Sequence, residues 1–164
     1  MGTGKTTVGR LLAESLEYGF VDTDDLIERQ VGRPVREIFA LEGEARFREY
    51  ERALVASLPQ YDRTIIATGG GLAIDPENLS SLKTHALVVC LWASPERIYE
   101  RVPHQAHRPL LDGPDLMTRI RELLAAREPS YRQADVLINT ELRQSREVVQ
   151  HVLHQFQMAR GEAL

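Results

Sequence analysis

Cysteine is nearly missing from this sequence: Cys90 stands alone among 164 residues, so no internal disulfide can staple the fold. Its place in the apolar run Ala86-Leu87-Val88-Val89-Cys90-Leu91-Trp92 reads as an inert position in a buried strand, with Trp92 as core or pocket wall. Long apolar stretches are missing too, and none approaches the roughly 20 residues that cross a bilayer. The chain opens on glycines and a lysine rather than on a hydrophobic leader, so the expected compartment is the cytoplasm, with no membrane partner. Basic runs are absent as well. Lys plus Arg number 20 against 24 Asp plus Glu, a formal net charge of −4, which leaves nothing to track a nucleic-acid backbone and points to a small ligand instead. There is no repeat, linker or low-complexity tract, and the reading is one domain over residues 1–164. No large apolar surface stripe is left over once the core is assigned, so a monomer is expected.

What is present alternates. Val8, Leu11, Leu12 and Leu16 make one stripe of a helix from about Lys5 to Leu16, which Gly19 should stop before the strand Phe20-Val21-Asp22. Thr64 to Thr68, Ala86 to Trp92 and Val136 to Asn139 are continuous apolar runs of strand length, suited to a parallel sheet covered on both faces. Helix-period stretches lie between them at Asp24 to Val31, Pro34 to Leu41, Ala45 to Leu58, Asn78 to Leu82, Pro95 to Arg101 and Leu116 to Arg127, and a closing helix runs from Ser145 to about Arg160. Strand and helix in alternation predict an α/β fold with a parallel sheet flanked by helices. The segment from about 103 to 115 is rich in proline and polar residues without periodicity, and reads as a lid loop.

Three clusters carry chemistry. Gly2-Thr3-Gly4-Lys5-Thr6-Thr7 is the second half of the phosphate-binding pattern G-x-x-x-x-G-K-[ST], whose small residues let backbone N–H groups approach phosphate at a helix N-terminus. Lys5 is expected to reach the β- and γ-phosphates of ATP, and Thr6 to offer its hydroxyl to Mg²⁺. The first glycine of that pattern and the buried strand that aims the loop both fall ahead of residue 1, so either the start lies downstream of the true one or the chain lacks a core strand and is weakened. Asp22 and Asp24 follow the first predicted strand, at the edge where open α/β sheets bind ligands. Asp22 is expected to approach Mg²⁺ through water; Asp24 either takes the proton of an attacking hydroxyl or simply caps the next helix. Gly69-Gly70-Gly71 after Thr68 suits a ligand lying against bare backbone, or a tight turn.

These clusters, with Glu37-Ile38-Phe39, Gly43-Glu44, Phe47-Arg48 leading to Glu51, Arg108-Pro109-Leu110-Leu111, and Arg127 before Tyr131 and Ala134-Asp135, resemble the ordered signature of shikimate kinases across almost the whole chain. The resemblance implies a nucleoside-monophosphate-kinase-like P-loop fold with a helical substrate-binding subdomain over about 26–58 and a lid around Arg108. It implies the transfer of the γ-phosphoryl group of ATP to shikimate. It assigns Arg48 and Arg127 to the substrate carboxylate, Gly70 and Gly71 with Gly69 to its ring and hydroxyls, and Asp24 to the reacting hydroxyl. Phe39, Phe47 and Glu51 fall to the pocket lining, Arg108 to the ATP phosphates, and Arg101 to the nucleotide side, where Arg97 and Arg101 read equally as a solvated helix face. Gluconate or another polyol acid is the alternative acceptor, and a kinase-like domain that binds without turnover is the alternative of a different class. The five histidines read as surface residues, including the pairs His104 with His107 and His151 with His154.

Overall fold

The computed structural model describes residues 2–101 and 115–161. In chain order the elements are α1 (Lys5–Leu16), β1 (Gly19–Asp22), α2 (Thr23–Val31), α3 (Val35–Ser57), β2 (Thr64–Ala67), α4 (Pro76–Lys83), β3 (Val89–Trp92), α5 (Pro95–Arg101), α6 (Leu116–Tyr131), β4 (Val136–Asn139) and α7 (Ser145–Ala159). All pairing is parallel, as continuous apolar strands linked by helices require. β1 lies beside β2 with Gly19 opposite Thr64 and Asp22 opposite Ala67, and β3 lies beside β4 with Val89 opposite Val136 and Trp92 opposite Asn139. The expected sheet is therefore present as two pairs, and among the described residues no strand joins β2 to β3.

Three apolar clusters hold the elements. Ile27, Ile38, Phe47, Leu54, Leu58 and Leu72 knit α2 and α3 to the loop after β2. Val8 and Leu12 of α1 meet Ile138 of β4 and Val148, Val149 and Val152 of α7. Ala93, Ile98 and Ile120 join α5 to α6.

Several boundaries differ from the sequence expectation for local reasons. α1 ends at Glu17, which itself adopts the left-handed conformation (φ 54°) and returns its N–H to Ala13 and Glu14, so Gly19 is free to open β1. The two helices expected around residues 34–58 are one element broken at Gly43, whose φ of 80° and ψ of 170° interrupt the ladder. α6 runs one turn beyond Arg127 although Pro129 lacks an N–H to donate. Trp92, expected as core or pocket wall, closes β3 with 42% of its surface exposed and is not core. No described helix is long and apolar enough to cross a membrane.

Candidate active site

The amino end of α1 is shaped for an anion. Gly2 and Gly4 take φ of 62° and 88°, a region that side chains resist, and Gly4 caps the helix with no side chain bonded to its first N–H groups. Those donors and the helix dipole face the place where phosphate is expected. Lys5, Thr6 and Thr7 form the first turn, and Thr3 behind them is buried. Arg101, at the end of α5, donates to Gly2 O at 3.3 Å, to Thr140 Oγ1 at 3.2 Å and to Thr140 O at 3.0 Å. It braces the loop against the end of β4 and is not a solvated face.

Asp22 ends β1 beside this loop. Thr6 Oγ1 donates to Asp22 Oδ2 at 3.1 Å, while Asp22 Oδ1 accepts from Asp24 N at 3.1 Å. The cap of α2 is therefore Asp22, and the capping role weighed for Asp24 is overturned. Asp24 instead turns toward the triple glycine, where a Cβ placed on Gly69 would lie 2.6 Å from Asp24 Oδ1 and 3.4 Å from Glu51 Oε1. Thr23, wholly buried, accepts from Gly69 N at 2.9 Å and ties the glycine loop to α2. Sequence reading missed Thr23, whose only signal was a place between two acids.

Arg48 and Glu51 come from the half of α3 beyond Gly43, spaced so that both side chains share one face. Arg48 Nη1 donates to Glu51 Oε2 and Nη2 to Glu44 Oε1, each at 2.6 Å. Burial alone would lower the Arg48 guanidinium, but its bonds to Glu51 and then Glu44 hold it above its usual range. Glu51 is 1% exposed, and its Oε1 has no hydrogen-bond partner among the described residues. Burial pushes its carboxyl up, and the opposing pull of Arg48 does not cancel that.

Arg127, 8% exposed, reaches the same glycines from α6: its Nη1 donates to Gly70 O at 3.3 Å, and Tyr131 donates to the same oxygen at 2.6 Å. Burial raises the Tyr131 hydroxyl, which keeps it a donor there. Two arginines, an unsatisfied buried carboxylate oxygen and Asp24 thus surround bare backbone at the C-terminal edge of β2. Phe47, expected to line the pocket, is buried at 4% exposure, and Arg48 lies over its ring face, 5.7 Å from the centroid. Phe39 stacks against Phe47 at 4.8 Å between centroids, across the break at Gly43. Arg108 and the lid lie outside the described residues, as do His104 and His107. No cluster of three or more metal-ligating His, Cys, Asp or Glu occurs among the described residues.

Comparison with known proteins gives one consistent result. The profile of the family described as Shikimate kinase matches residues 1–157. The chain is 48% identical to a shikimate kinase of Symbiobacterium thermophilum over 99% of its own length and 94% of that protein's, and 41% identical to one of Hahella chejuensis over 100% and 86%. A solved structure of shikimate kinase from Acinetobacter baumannii in complex with shikimate superposes with a TM-score of 0.91 at 37% identity, covering 100% of this chain and 90% of that one. With a family profile along nearly its full length and relatives at this identity, the chain belongs to the shikimate kinase family.

Proposed function

We propose that the protein transfers the γ-phosphoryl group of ATP to a hydroxyl of shikimate, with Asp24 as the group that orients that hydroxyl and receives its proton. The observation that carries this reading is the convergence of Arg48, Arg127, Glu51 and Asp24 on Gly69–Gly71. Two guanidinium forks suit a planar carboxylate, and an unsatisfied carboxylate oxygen suits a ring hydroxyl. Bare backbone lets the ring approach closely.

On the nucleotide side, the N–H groups of the Gly2–Thr7 loop and Lys5 hold the phosphates, and Arg101 fixes the loop. Arg108 is proposed to offset charge on the transferred group. Thr6 and Asp22 offer hard oxygen donors side by side, which suits Mg²⁺, a cation that keeps several waters and takes few protein ligands. When bound, the ion would neutralise phosphate charge. The rest of the work is positioning, because phosphoryl transfer asks little covalent chemistry of the protein. Action as a monomer in the cytoplasm belongs to the same proposal.

The test is an ADP-release assay with Mg-ATP across shikimate, gluconate and a shikimate analogue without the carboxylate. Turnover should appear with shikimate and be lost on gluconate. Arg127→Ala should raise KM for shikimate roughly 10- to 100-fold, the worth of a charge-assisted hydrogen bond, while barely touching the uncharged analogue. Equal turnover on gluconate, or none on any acceptor, would refute the proposal.

A further inference from the structure

Of the three carbonyls in the glycine loop, two are met by backbone: Leu72 N donates to Gly69 O at 3.3 Å and Ile74 N to Gly71 O at 3.1 Å. Among the described residues the middle one is met by side chains alone. Tyr131 Oη donates to Gly70 O at 2.6 Å, and Arg127 Nη1 donates to the same oxygen at 3.3 Å. A carbonyl oxygen has lone pairs for two donors, but these two bonds are unequal: the hydroxyl bond is short for its type, whereas the guanidinium bond lies past the usual N–H···O range.

Both donors come from one face of α6, at helical spacing. The last turn of that helix persists past Pro129, which has no N–H to give, and this turn carries Ser130 to Ile74 O at 3.4 Å and Tyr131 to Gly70 O. Burial raises the Tyr131 hydroxyl further than the Arg127 charge lowers it, so the group stays protonated and gives its one proton to the carbonyl. The setting of that peptide matters, because the glycines on either side of it lie against Asp24 and Arg48. Three glycines turn easily, so a peptide that loses its anchor at Gly70 disturbs both neighbours.

The two arginines differ in what they already hold. Arg48 is bonded to two carboxylates, Glu51 and Glu44, whereas the hydrogen bond of Arg127 is to a neutral carbonyl. A carboxylate is a much stronger partner for a buried guanidinium than a carbonyl is. An arriving carboxylate therefore draws Arg127 away from Gly70 O, and that oxygen then depends on its other donor.

We infer that Tyr131 is a positioning residue of the acceptor site: it holds the Gly70 carbonyl by itself once Arg127 turns to the substrate's carboxylate, so that binding the acid does not strip the glycine loop of a hydrogen bond. The inference rests on the carboxylate-bearing acceptor proposed above. Its effect runs through Arg127, so Tyr131 favours acceptors that carry a carboxylate and is indifferent to those that do not.

The test is steady-state kinetics on the parent, Tyr131→Phe, Arg127→Ala and the double variant, with shikimate and with the analogue that lacks the carboxylate, and with calorimetric titration of shikimate where turnover is slow. Phenylalanine keeps the ring and removes the donor, so Tm should stay within a few degrees of the parent. In Tyr131→Phe, Arg127 alone serves Gly70 O, and binding the acid orphans that oxygen. KM for shikimate should rise roughly 5- to 10-fold, the worth of one bond at a partly buried carbonyl, while KM for ATP and for the uncharged analogue stay within about 2-fold. In Arg127→Ala the same oxygen is served alike with and without substrate, so adding Tyr131→Phe should move KM by less than about 2-fold further. A fully additive double variant, an equal KM rise on the uncharged analogue, or a Tyr131→Phe chain with no cooperative melt would overturn the inference. A parent without turnover on shikimate would overturn it together with the reading it rests on, whereas an active parent matched by an unaltered Tyr131→Phe would overturn the inference alone.

Discussion

Gly71 and Arg48 share one space: a Cβ built on the glycine would lie 2.0 Å from Arg48 Nη1 and 2.5 Å from its Cζ. The obstacle is the end of a long side chain, which can swing away, so Gly71→Ala is expected to fold. The guanidinium would have to leave Glu51 and the proposed carboxylate seat. KM for shikimate should rise at least about 10-fold, with Tm within a few degrees of the parent. A variant with unaltered KM would show that the arginine does not need this position.

Asp24→Asn keeps the shape of the side chain and removes its basicity. The predicted result is a fall in kcat of about 10² to 10⁴, with ATP affinity unchanged, because the phosphate loop lies on a different element. Direct nucleotide titration beside the assay separates the two effects. Undiminished kcat would remove Asp24 from the proton transfer.

Thr23→Val should act on stability before chemistry. It deletes the acceptor of the part-buried Gly69 N–H, and since orphaning a fully buried donor costs about 1–3 kcal/mol, a loss of about 1 kcal/mol is expected. Thr23→Ser restores the oxygen and should recover most of the loss in a denaturant melt. If the valine and serine variants melt alike, the bond does not hold the glycine loop.

Glu51 predicts an unusual pH dependence. Its folded pKa lies above the ordinary value of 4.5, because burial disfavours the charged form more than Arg48 favours it. The unfolded chain therefore ionises first as pH rises, and Glu51 costs stability from its unfolded pKa upward. Asp135 has the opposite sign: burial would raise it, but Lys83 and the N–H of Val88 hold it low, so its contribution is lost as pH falls. Glu51→Gln should gain relative stability as pH climbs from about 4 toward neutrality, and a flat difference across that range would contradict the shift.

Much of this was legible in the chain. Val136 to Asn139 was readable to the residue, because three consecutive apolar side chains closed by Asn139 and bounded by polar residues suit a short strand. The Gly2–Thr7 loop, Asp22 and Asp24 could be named as candidates from their chemistry and place in the pattern, whereas Arg48, Glu51 and Arg127 could be named only through the resemblance to the family's signature. Thr23 and Tyr131 could not, since their importance lies in which backbone atom they meet, Gly69 N and Gly70 O, and those atoms are far away in sequence. That Phe47 carries the guanidinium of Arg48 on its ring face was not readable, because an aromatic beside an arginine reads the same whether it lines a pocket or supports the arginine from the core. Glu17 was missed because a non-glycine in the left-handed region leaves no mark in composition.

The break at Gly43 divides labour within α3. Beyond it, Phe47, Glu51, Leu54 and Val55 anchor the helix in the interior, whereas the shorter part before it sinks only Ile38 to that depth. Of the two, the shorter part has less to lose by swinging outward, with the Phe39–Phe47 contact as its clasp. An outward swing of the shorter part would admit a molecule beside the glycines while Arg48, the proposed seat of its acid group, stays bolted to the body of the protein, so opening the door would not dismantle the lock.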